Sequence, residues 1–89
     1  ISVTANLVPG KCAKLCQAAK EGDIETAKAL HYELLKLNDI MFIETNPIPV
    51  KAALVLMGRI ENEFRPPLCP PSEESLTQLT AVLKSYSLL

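Results

Sequence analysis

A single β-prone run opens a chain whose remaining pattern is helical. Residues 1–5 are rich in β-branched side chains and are closed by Asn6, and they form the only convincing strand among the 89 residues. One strand cannot form a sheet, because its backbone N–H and C=O groups need neighbouring strands as partners. We therefore expect that this strand either frays or pairs with strands that precede residue 1. In the second case the chain is a piece of a larger protein.

The composition is that of a globular protein and argues against several classes of function. Hydrophobic residues make up 48% of the chain and charged residues 21%, which is too apolar for a disordered segment. Nine basic and ten acidic residues give a net charge of −1, whereas a nucleic-acid surface needs a clustered basic excess. No apolar run approaches the roughly 18 residues of a membrane span, and no signal peptide is visible. We expect neither nucleic acid nor a membrane as a partner.

Four helices are predicted after the strand, and local signals mark the first two. The first helix begins near Pro9, which suits a first turn, and stops at Gly22. Asp23 is typical of an N-cap and introduces the longest helix, over residues 24–43.

Proline and serine mark the last two helices. Pro47 and Pro49 interrupt the helical pattern ahead of a short helix over residues 50–57, which Gly58 ends. Ser72, followed by two glutamates, then caps a last helix. The order of one strand followed by helices fits the last unit of an α/β fold with a helical layer after it.

Apolar side chains recur at spacings of three and four on these helices, which marks the faces expected to be buried. The second helix widens its apolar stripe near its end, which indicates burial on two sides, and the third is apolar nearly all round and should be almost wholly buried. The expected buried positions are Cys12, Leu15, Cys16 and Ala19 on the first helix, Ile24, Ala27, Leu30, Leu34, Leu37 and Met41 on the second, and Leu76, Leu79, Val82 and Leu83 on the last.

Three cysteines and one histidine are the only soft candidates for a metal site. Cys12 and Cys16 could face one metal ion, with His31 and Cys69 as further ligands, but the spacing is not that of a zinc finger or ribbon. The odd number of cysteines favours reduced, buried thiols over a disulfide framework. We therefore expect no metal site, and we expect His31 to be a solvated residue on a helix flank.

Lys51 is the one lysine flanked by apolar sequence, near the start of the third helix. An amine in such surroundings can form a Schiff base. The alternative, which we favour, is a lysine whose stem packs while its amine finds a carboxylate or a carbonyl. The proline run over residues 66–71 is interpreted as a rigid connector rather than as a ligand for an aromatic groove.

Five blocks of sequence are more specific than the helical pattern. They are ISVTAN at residues 1–6, EGD at 21–23, NPIPVK at 46–51, the pattern R-x-P-L-x-P-x-S at 65–72, and the terminal Leu88-Leu89. In this order and spacing the chain resembles the dihydrodipicolinate synthase family over essentially its whole length. The first and third blocks are the specific ones, and the N-acetylneuraminate lyases of the wider family match them less well.

The resemblance implies a fold and a reaction. Members of the family are α/β proteins, (β/α)8 TIM barrels with a C-terminal helical extension, and are usually homotetramers built as dimers of dimers. They are cytoplasmic lyases that condense pyruvate with L-aspartate 4-semialdehyde in diaminopimelate and lysine biosynthesis. The reaction proceeds through a Schiff base on a lysine and implies no cofactor.

The resemblance also assigns the parts of this chain. Residues 1–21 correspond to the last β/α unit of the barrel and residues 22–89 to the helical extension, so the chain itself is expected to be mainly α. The imine-forming lysine and the proton-relaying tyrosine lie outside these residues, and Lys51 is not that lysine. One substrate contact falls inside, because Ile1 is expected to border the pyruvate site at the barrel mouth. The chain alone is therefore expected to be inactive.

Two other functions stay open at this point. One is an N-acetylneuraminate lyase-type aldolase of the same family, and the other is a non-enzymatic helical interaction module. The second is weaker, because it leaves the opening strand without partners. The chain departs from the family pattern at Pro9-Gly10, at Pro66 and Cys69, and at Tyr86-Ser87, none of which is a catalytic position.

Overall fold

Four α-helices and one 3₁₀ turn make up the computed structural model, which describes residues 1–89. The elements, in chain order, are the 3₁₀ turn (Thr4–Asn6), α1 (Pro9–Lys20), α2 (Ile24–Ile40), α3 (Ile48–Leu56) and α4 (Glu73–Ser85). Helix accounts for 61% of the chain, and no residue lies in a β-strand. The prediction of a mainly α chain is confirmed.

The strand predicted over residues 1–5 is not present in this chain. The backbone bends at Val3 and forms the 3₁₀ turn instead. The physical reason is that no other segment is extended beside it, so its backbone groups find partners locally. The N–H of Leu7, for example, donates to the C=O of Thr4 at 2.9 Å. A β-prone sequence without a neighbouring strand therefore did not form a strand.

The helix ends follow local signals closely. Gly22 (φ 78°) and Gly58 (φ 72°) adopt the left-handed conformation after α1 and α3, as predicted. α4 ends in the same way, but there the left-handed residue is Ser87 (φ 57°). The N–H of Leu88 then donates back to the C=O of Leu83 at 3.0 Å, which completes the C-terminal motif.

Both predicted N-caps are confirmed. The Asp23 side chain accepts a hydrogen bond from the N–H of Thr26 at 3.2 Å at the start of α2. The Ser72 hydroxyl accepts one from the N–H of Ser75 at 3.2 Å at the start of α4. Each cap satisfies an N–H that has no partner inside its helix.

The connection between α2 and α3 differs from the prediction. α2 ends at Ile40 rather than at residue 43, because the N–H groups of Phe42 and Ile43 bond to carbonyls three residues back and turn the chain towards α3. α3 begins at Ile48 rather than at residue 50 and contains Pro49 in its first turn. A proline is tolerated there, since its missing N–H would have no helical partner.

The hydrophobic core lies between the second half of α2, α3 and α4. Ten buried side chains form it: Leu7, Leu34, Leu37, Ile40, Met41, Val50, Ala52, Ala53, Leu79 and Leu83. Only Leu7 precedes residue 34. We therefore call residues 1–33 the amino-terminal region and residues 34–89 the carboxyl-terminal region.

Apolar side chains of the amino-terminal region are only partly covered. Cys16 and Ala19 on α1, which were predicted to be buried, are exposed, and Ala18 is buried in their place. The reason is that α1 packs mainly on α2 and on the short 3₁₀ turn, and these two neighbours leave its other apolar face uncovered. Ile24, the first residue of the predicted α2 stripe, is 63% exposed.

Burial of α3 is less complete than predicted. Its first half is buried from Ile48 to Ala53, apart from Lys51, but Leu56 is 36% exposed and Val55 is half-buried. The end of α3 faces an apolar hollow of about 160 Å³, which the proline-rich connector and Leu76 of α4 line on the other side.

The molecule is more extended than a compact domain of its mass. Its accessible surface is 5951 Å², against about 5,100 Å² expected for a folded monomer of this size. Its radius of gyration is 14.0 Å, against about 12 Å expected for a compact chain of this length. None of the helices has the length and hydropathy that crossing a membrane requires.

Candidate functional site

Ile1, the predicted site residue, lies at the end of a hydrogen-bonded segment, residues 1–8, which we call the opening segment. The Ser2 hydroxyl accepts a hydrogen bond from the N–H of Ala5 at 3.2 Å. The C=O of Val3 accepts two from Asn6, one from its backbone N–H at 3.1 Å and one from its side-chain amide at 3.0 Å. These bonds close the segment into a turn whose residues move together.

One buried hydrogen bond ties the opening segment to α2. The Thr4 hydroxyl donates to the side-chain carbonyl of Asn38 at 2.5 Å, across 34 residues of sequence. Thr4 is 3% exposed and is one of only two buried polar residues. Leu7 enters the core beside it, and Val3 packs against the core from outside. The sequence contained no signal for the Thr4–Asn38 pair.

Ile1 itself is fully exposed at the free end of the opening segment. No other part of the chain covers its side chain. Its expected role as a pyruvate contact stays a prediction, and no catalytic residue was predicted within these 89 residues.

An open groove of about 590 Å³ separates α1 from the first half of α2. Four carboxylates are among its ten lining residues, including Glu21, Asp23 and Glu33. Glu33 forms an ion pair with Lys11 across the two helices. Hydrogen bonding from the Thr26 side chain, and then from its backbone, lowers the pKa of Asp23. Asp23 therefore acts as a helix cap, and the groove has the chemistry of a solvated helix–helix edge.

Lys51 does not lie in an apolar pocket. Its amine sits over the ring of Phe64, with Nζ 5.2 Å from the ring centroid, in a cation–π contact. The side chain also borders a cleft of about 330 Å³ that contains Glu61, Glu63 and Arg65. Lys51 is half-buried, as expected for a lysine whose stem packs. Its amine was expected to find a carboxylate or a carbonyl, and it lies over an aromatic ring instead.

The cysteines and the histidine lie apart from one another. All three cysteines are free thiols, and only Cys12 is half-buried, so the prediction of buried thiols is wrong for Cys16 and Cys69. The reason is that Cys16 faces away from α2 and Cys69 lies in the exposed connector. His31 is exposed, as predicted, and contacts the ring of Tyr32 edge to face, with centroids 5.3 Å apart. No three histidine, cysteine, aspartate or glutamate side chains come close enough to share a metal ion.

Glu44 joins the α2–α3 connection to the start of α4. Its carboxylate accepts hydrogen bonds from the backbone N–H of Ser72 at 2.9 Å and from the Ser72 hydroxyl at 3.2 Å. Hydrogen bonding from the Ser75 side chain, followed by that from the Ser72 backbone, lowers the pKa of Glu44. A carboxylate at a helix N-terminus is also favoured by the helix dipole.

Tyr86 joins the end of α4 to the middle of α2. Its hydroxyl donates to the backbone C=O of Glu33 at 2.5 Å and accepts from the backbone N–H of Leu37 at 3.3 Å. These two α2 groups are one helical turn apart, so the hydroxyl is inserted beside the helical hydrogen-bond ladder. Sequence reasoning missed this contact, because 53 and 49 residues separate the partners.

Comparison with protein families gives a match over nearly the whole chain. The model described as the Dihydrodipicolinate synthetase family matches residues 1–86. The chain is 52% identical over 89 residues to the 4-hydroxy-tetrahydrodipicolinate synthase of Nitratidesulfovibrio vulgaris. It is 55% identical over the same length to the synthase of Thermodesulfovibrio yellowstonii. All of this chain is covered, but only 30% and 31% of those relatives.

Solved structures give the same result. The dihydrodipicolinate synthase of Aquifex aeolicus superimposes with a TM-score of 0.97 at 48% identity, covering 99% of this chain and 30% of that one. The chloride-inhibited synthase of Acinetobacter baumannii, complexed with pyruvate, gives a TM-score of 0.96 at 40% identity, covering 100% and 31%. The chain thus spans about three-tenths of the length of the relatives that it matches.

Proposed function

Because this chain belongs to the dihydrodipicolinate synthetase family, we propose that it serves as the C-terminal portion of a 4-hydroxy-tetrahydrodipicolinate synthase. The whole polypeptide would be a lyase that condenses pyruvate with L-aspartate 4-semialdehyde through a Schiff base. That reaction belongs to the diaminopimelate route of lysine biosynthesis, and a cytoplasmic location is part of the proposal.

One observation carries this proposal. All 89 residues match synthases at about half identity, and the backbone superimposes on synthase structures without a gap in coverage. The relatives described above are synthases, so no observation favours the N-acetylneuraminate lyase alternative. A free-standing helical interaction module is also disfavoured, because the relatives described above, which match the chain over its whole length, are synthases.

The role of these residues in the enzyme is structural, with one exception. Residues 1–21 would close the barrel as its last β/α unit, and residues 22–89 would form the helical extension packed beside it. The exception is Ile1, which we propose borders the pyruvate site. The family match that begins at Ile1 supports this role.

The assembly is a separate part of the proposal. We propose a homotetramer built as a dimer of dimers for the whole enzyme. One synthase that superimposes with a TM-score of 0.94 is described as a monomeric variant, so assembly varies among proteins that share this fold. Sedimentation of the whole polypeptide would measure it directly.

Trapping with pyruvate and borohydride tests the proposed chemistry. Borohydride reduces the imine between a lysine and pyruvate to a stable amine, which mass spectrometry of peptides then locates. We expect one labelled lysine in the whole polypeptide, outside residues 1–89. We expect no label on the 89-residue chain incubated alone, because Lys51 is held over Phe64 in contact with solvent.

Lys51→Arg in the whole polypeptide provides the matched control. Arginine keeps the cation–π contact but cannot form an imine, so labelling should be unchanged. A label on Lys51, or its loss in this variant, would show that the assignment of Lys51 as a structural residue is wrong. A whole polypeptide without any label would disprove the proposed reaction.

A further inference from the structure

We infer that Asn38 is a positioning residue for the pyruvate site and that it acts through Thr4. The inference rests on the proposed function, because it concerns the segment that carries Ile1. It adds a residue of the helical extension, outside the last β/α unit, to those that set the geometry of the site.

The opening segment can transmit a displacement along its length. Hydrogen bonds join Ser2 to Ala5, Val3 to Asn6, and Thr4 to both Leu7 and Val8, so that every residue from Ser2 to Val8 takes part in one hydrogen-bonded turn, to which Ile1 is attached. A change in the orientation of Thr4 therefore changes the direction in which Ile1, three residues earlier, projects.

The Thr4–Asn38 hydrogen bond is the one side-chain hydrogen bond between this segment and the helices; the other is the backbone bond from the N–H of Cys12 on α1 to the C=O of Val8. Apolar contacts of Val3 and Leu7 press the segment against the core, but hydrophobic contacts have little directional preference. A hydrogen bond depends steeply on angle, and leaving a buried partner unsatisfied is costly. Asn38 therefore sets the rotation of the opening segment on the core.

The acceptor on Asn38 is itself held firmly. The preceding residue, Leu37, has no exposed surface, and neither does Met41 one turn later. The N–H of Leu37 is also bonded to the hydroxyl of Tyr86 at the end of α4. The carboxyl-terminal region thus provides a fixed reference for the segment that bears Ile1.

Isosteric variants of the whole polypeptide test this role. Thr4→Val and Asn38→Leu remove the donor and the acceptor at nearly constant volume, and each should raise the KM for pyruvate about tenfold, the equivalent of one buried hydrogen bond. The effect on kcat should be smaller, because Ile1 contacts substrate and does not transfer protons. Thr4→Ser and Asn38→Asp keep the hydroxyl donor and the oxygen acceptor and should keep the KM near wild type.

Two further variants separate positioning from general loss of stability. Thr80→Val removes a half-buried hydroxyl on α4, which donates to the C=O of Leu76 at 2.7 Å, and should leave the KM unchanged. The double variant Thr4→Val/Asn38→Leu should be no worse than the poorer single variant, since both remove one interaction.

The outcomes are distinguishable. If Thr4→Val and Asn38→Leu lower the melting temperature but leave the KM for pyruvate at the wild-type value, the bond is only structural and the inference is wrong. If Thr4→Val does not fold, the comparison of Asn38→Leu with Asn38→Asp decides by the same criterion. A wild-type polypeptide that forms no imine with pyruvate would overturn the proposed function, and this inference with it.

Discussion

The two regions of the molecule have similar apolar patterns and very different burial. In the carboxyl-terminal region, α3 and α4 pack with the second half of α2, and the three helices supply eight of the ten core side chains, with Met41 after α2 as the ninth. In the amino-terminal region, α1 packs mainly on α2 and the 3₁₀ turn and buries Ala18, while Cys16, Ala19 and Ile24 remain exposed. An amphipathic helix becomes buried only when neighbours cover its whole apolar stripe.

This difference in burial agrees with the proposed place of the chain in a synthase. The carboxyl-terminal region has its own three-helix core, so its folding depends mainly on these 89 residues. The apolar side chains of α1 and of the start of α2 lack cover, which fits a unit that closes against the rest of a barrel.

The largest expected effect is the difference in the free energy of unfolding between equivalent Leu→Ala substitutions in the two regions. Leu83→Ala removes a side chain without exposed surface and should lower the free energy of unfolding by about 2–5 kcal/mol. Leu15 on α1 is only half-buried, so Leu15→Ala should lower the free energy of unfolding by about 1 kcal/mol or less. Urea titration of both variants, followed by circular dichroism, measures the two costs.

Leu35→Ala is the control for exposed positions and should be nearly neutral, since Leu35 is 40% exposed on α2. In the whole polypeptide, the same Leu15→Ala substitution should lower the free energy of unfolding more than in the 89-residue chain, because added neighbours should cover Leu15. Equal costs for Leu15 and Leu83 in the 89-residue chain would show that the two regions do not differ as described.

A smaller effect is expected at the contact that joins the two regions. Tyr86→Phe removes the hydroxyl that bonds to the backbone of Glu33 and Leu37, and should cost about 1 kcal/mol. Amide exchange of Leu37 should become faster. Tyr32→Phe is the matched control, since Tyr32 is 62% exposed, and it should change neither quantity. Unchanged exchange in Tyr86→Phe would mean that the hydroxyl does not hold α2.

A modest stabilisation is expected at the end of α4. Ser87 adopts φ 57°, a conformation that costs a non-glycine residue about 1 kcal/mol. Ser87→Gly removes that cost at the price of a more flexible unfolded chain, so a net gain of about 0.5 kcal/mol is expected in the free energy of unfolding. Ser85→Gly, at the last residue of α4, should destabilise instead, because it also removes the hydroxyl that donates to the C=O of Val82. A loss of stability in Ser87→Gly would contradict the strain assigned to this position.

Local signals predicted most of the helical framework. The stops at Gly22 and Gly58 and the caps at Asp23 and Ser72 involve partners within a few residues, so the sequence alone contains the whole interaction. The limits of α2 and α3 were missed by two or three residues, because a proline in the first turn of α3 was interpreted as an interruption.

Contacts between distant residues were not predictable from one sequence. The Thr4–Asn38 bond, the Tyr86–Glu33 bond and the Glu44–Ser72 bond join partners 34, 53 and 28 residues apart. Nothing in spacing or composition marks such pairs, because each depends on how the helices pack. The expectation for Ile1 came from the family resemblance and not from its own chemistry.

The smallest effect is the pH dependence of the two capping carboxylates, one in each region. Hydrogen bonds lower the pKa values of both Asp23 and Glu44 in the folded chain. A lowered pKa stabilises the fold fully above the unfolded-state pKa, about 3.9 for aspartate and 4.3 for glutamate, and the contribution is lost as pH falls through the folded-state pKa. Wild type should therefore lose stability on acidification more steeply than Asp23→Asn or Glu44→Gln.

Glu44→Gln should flatten the melting-temperature profile more, since Glu44 joins two elements of the core-bearing region whereas Asp23 caps only its own helix. Parallel profiles for wild type and both variants would show that neither carboxylate is linked to folding.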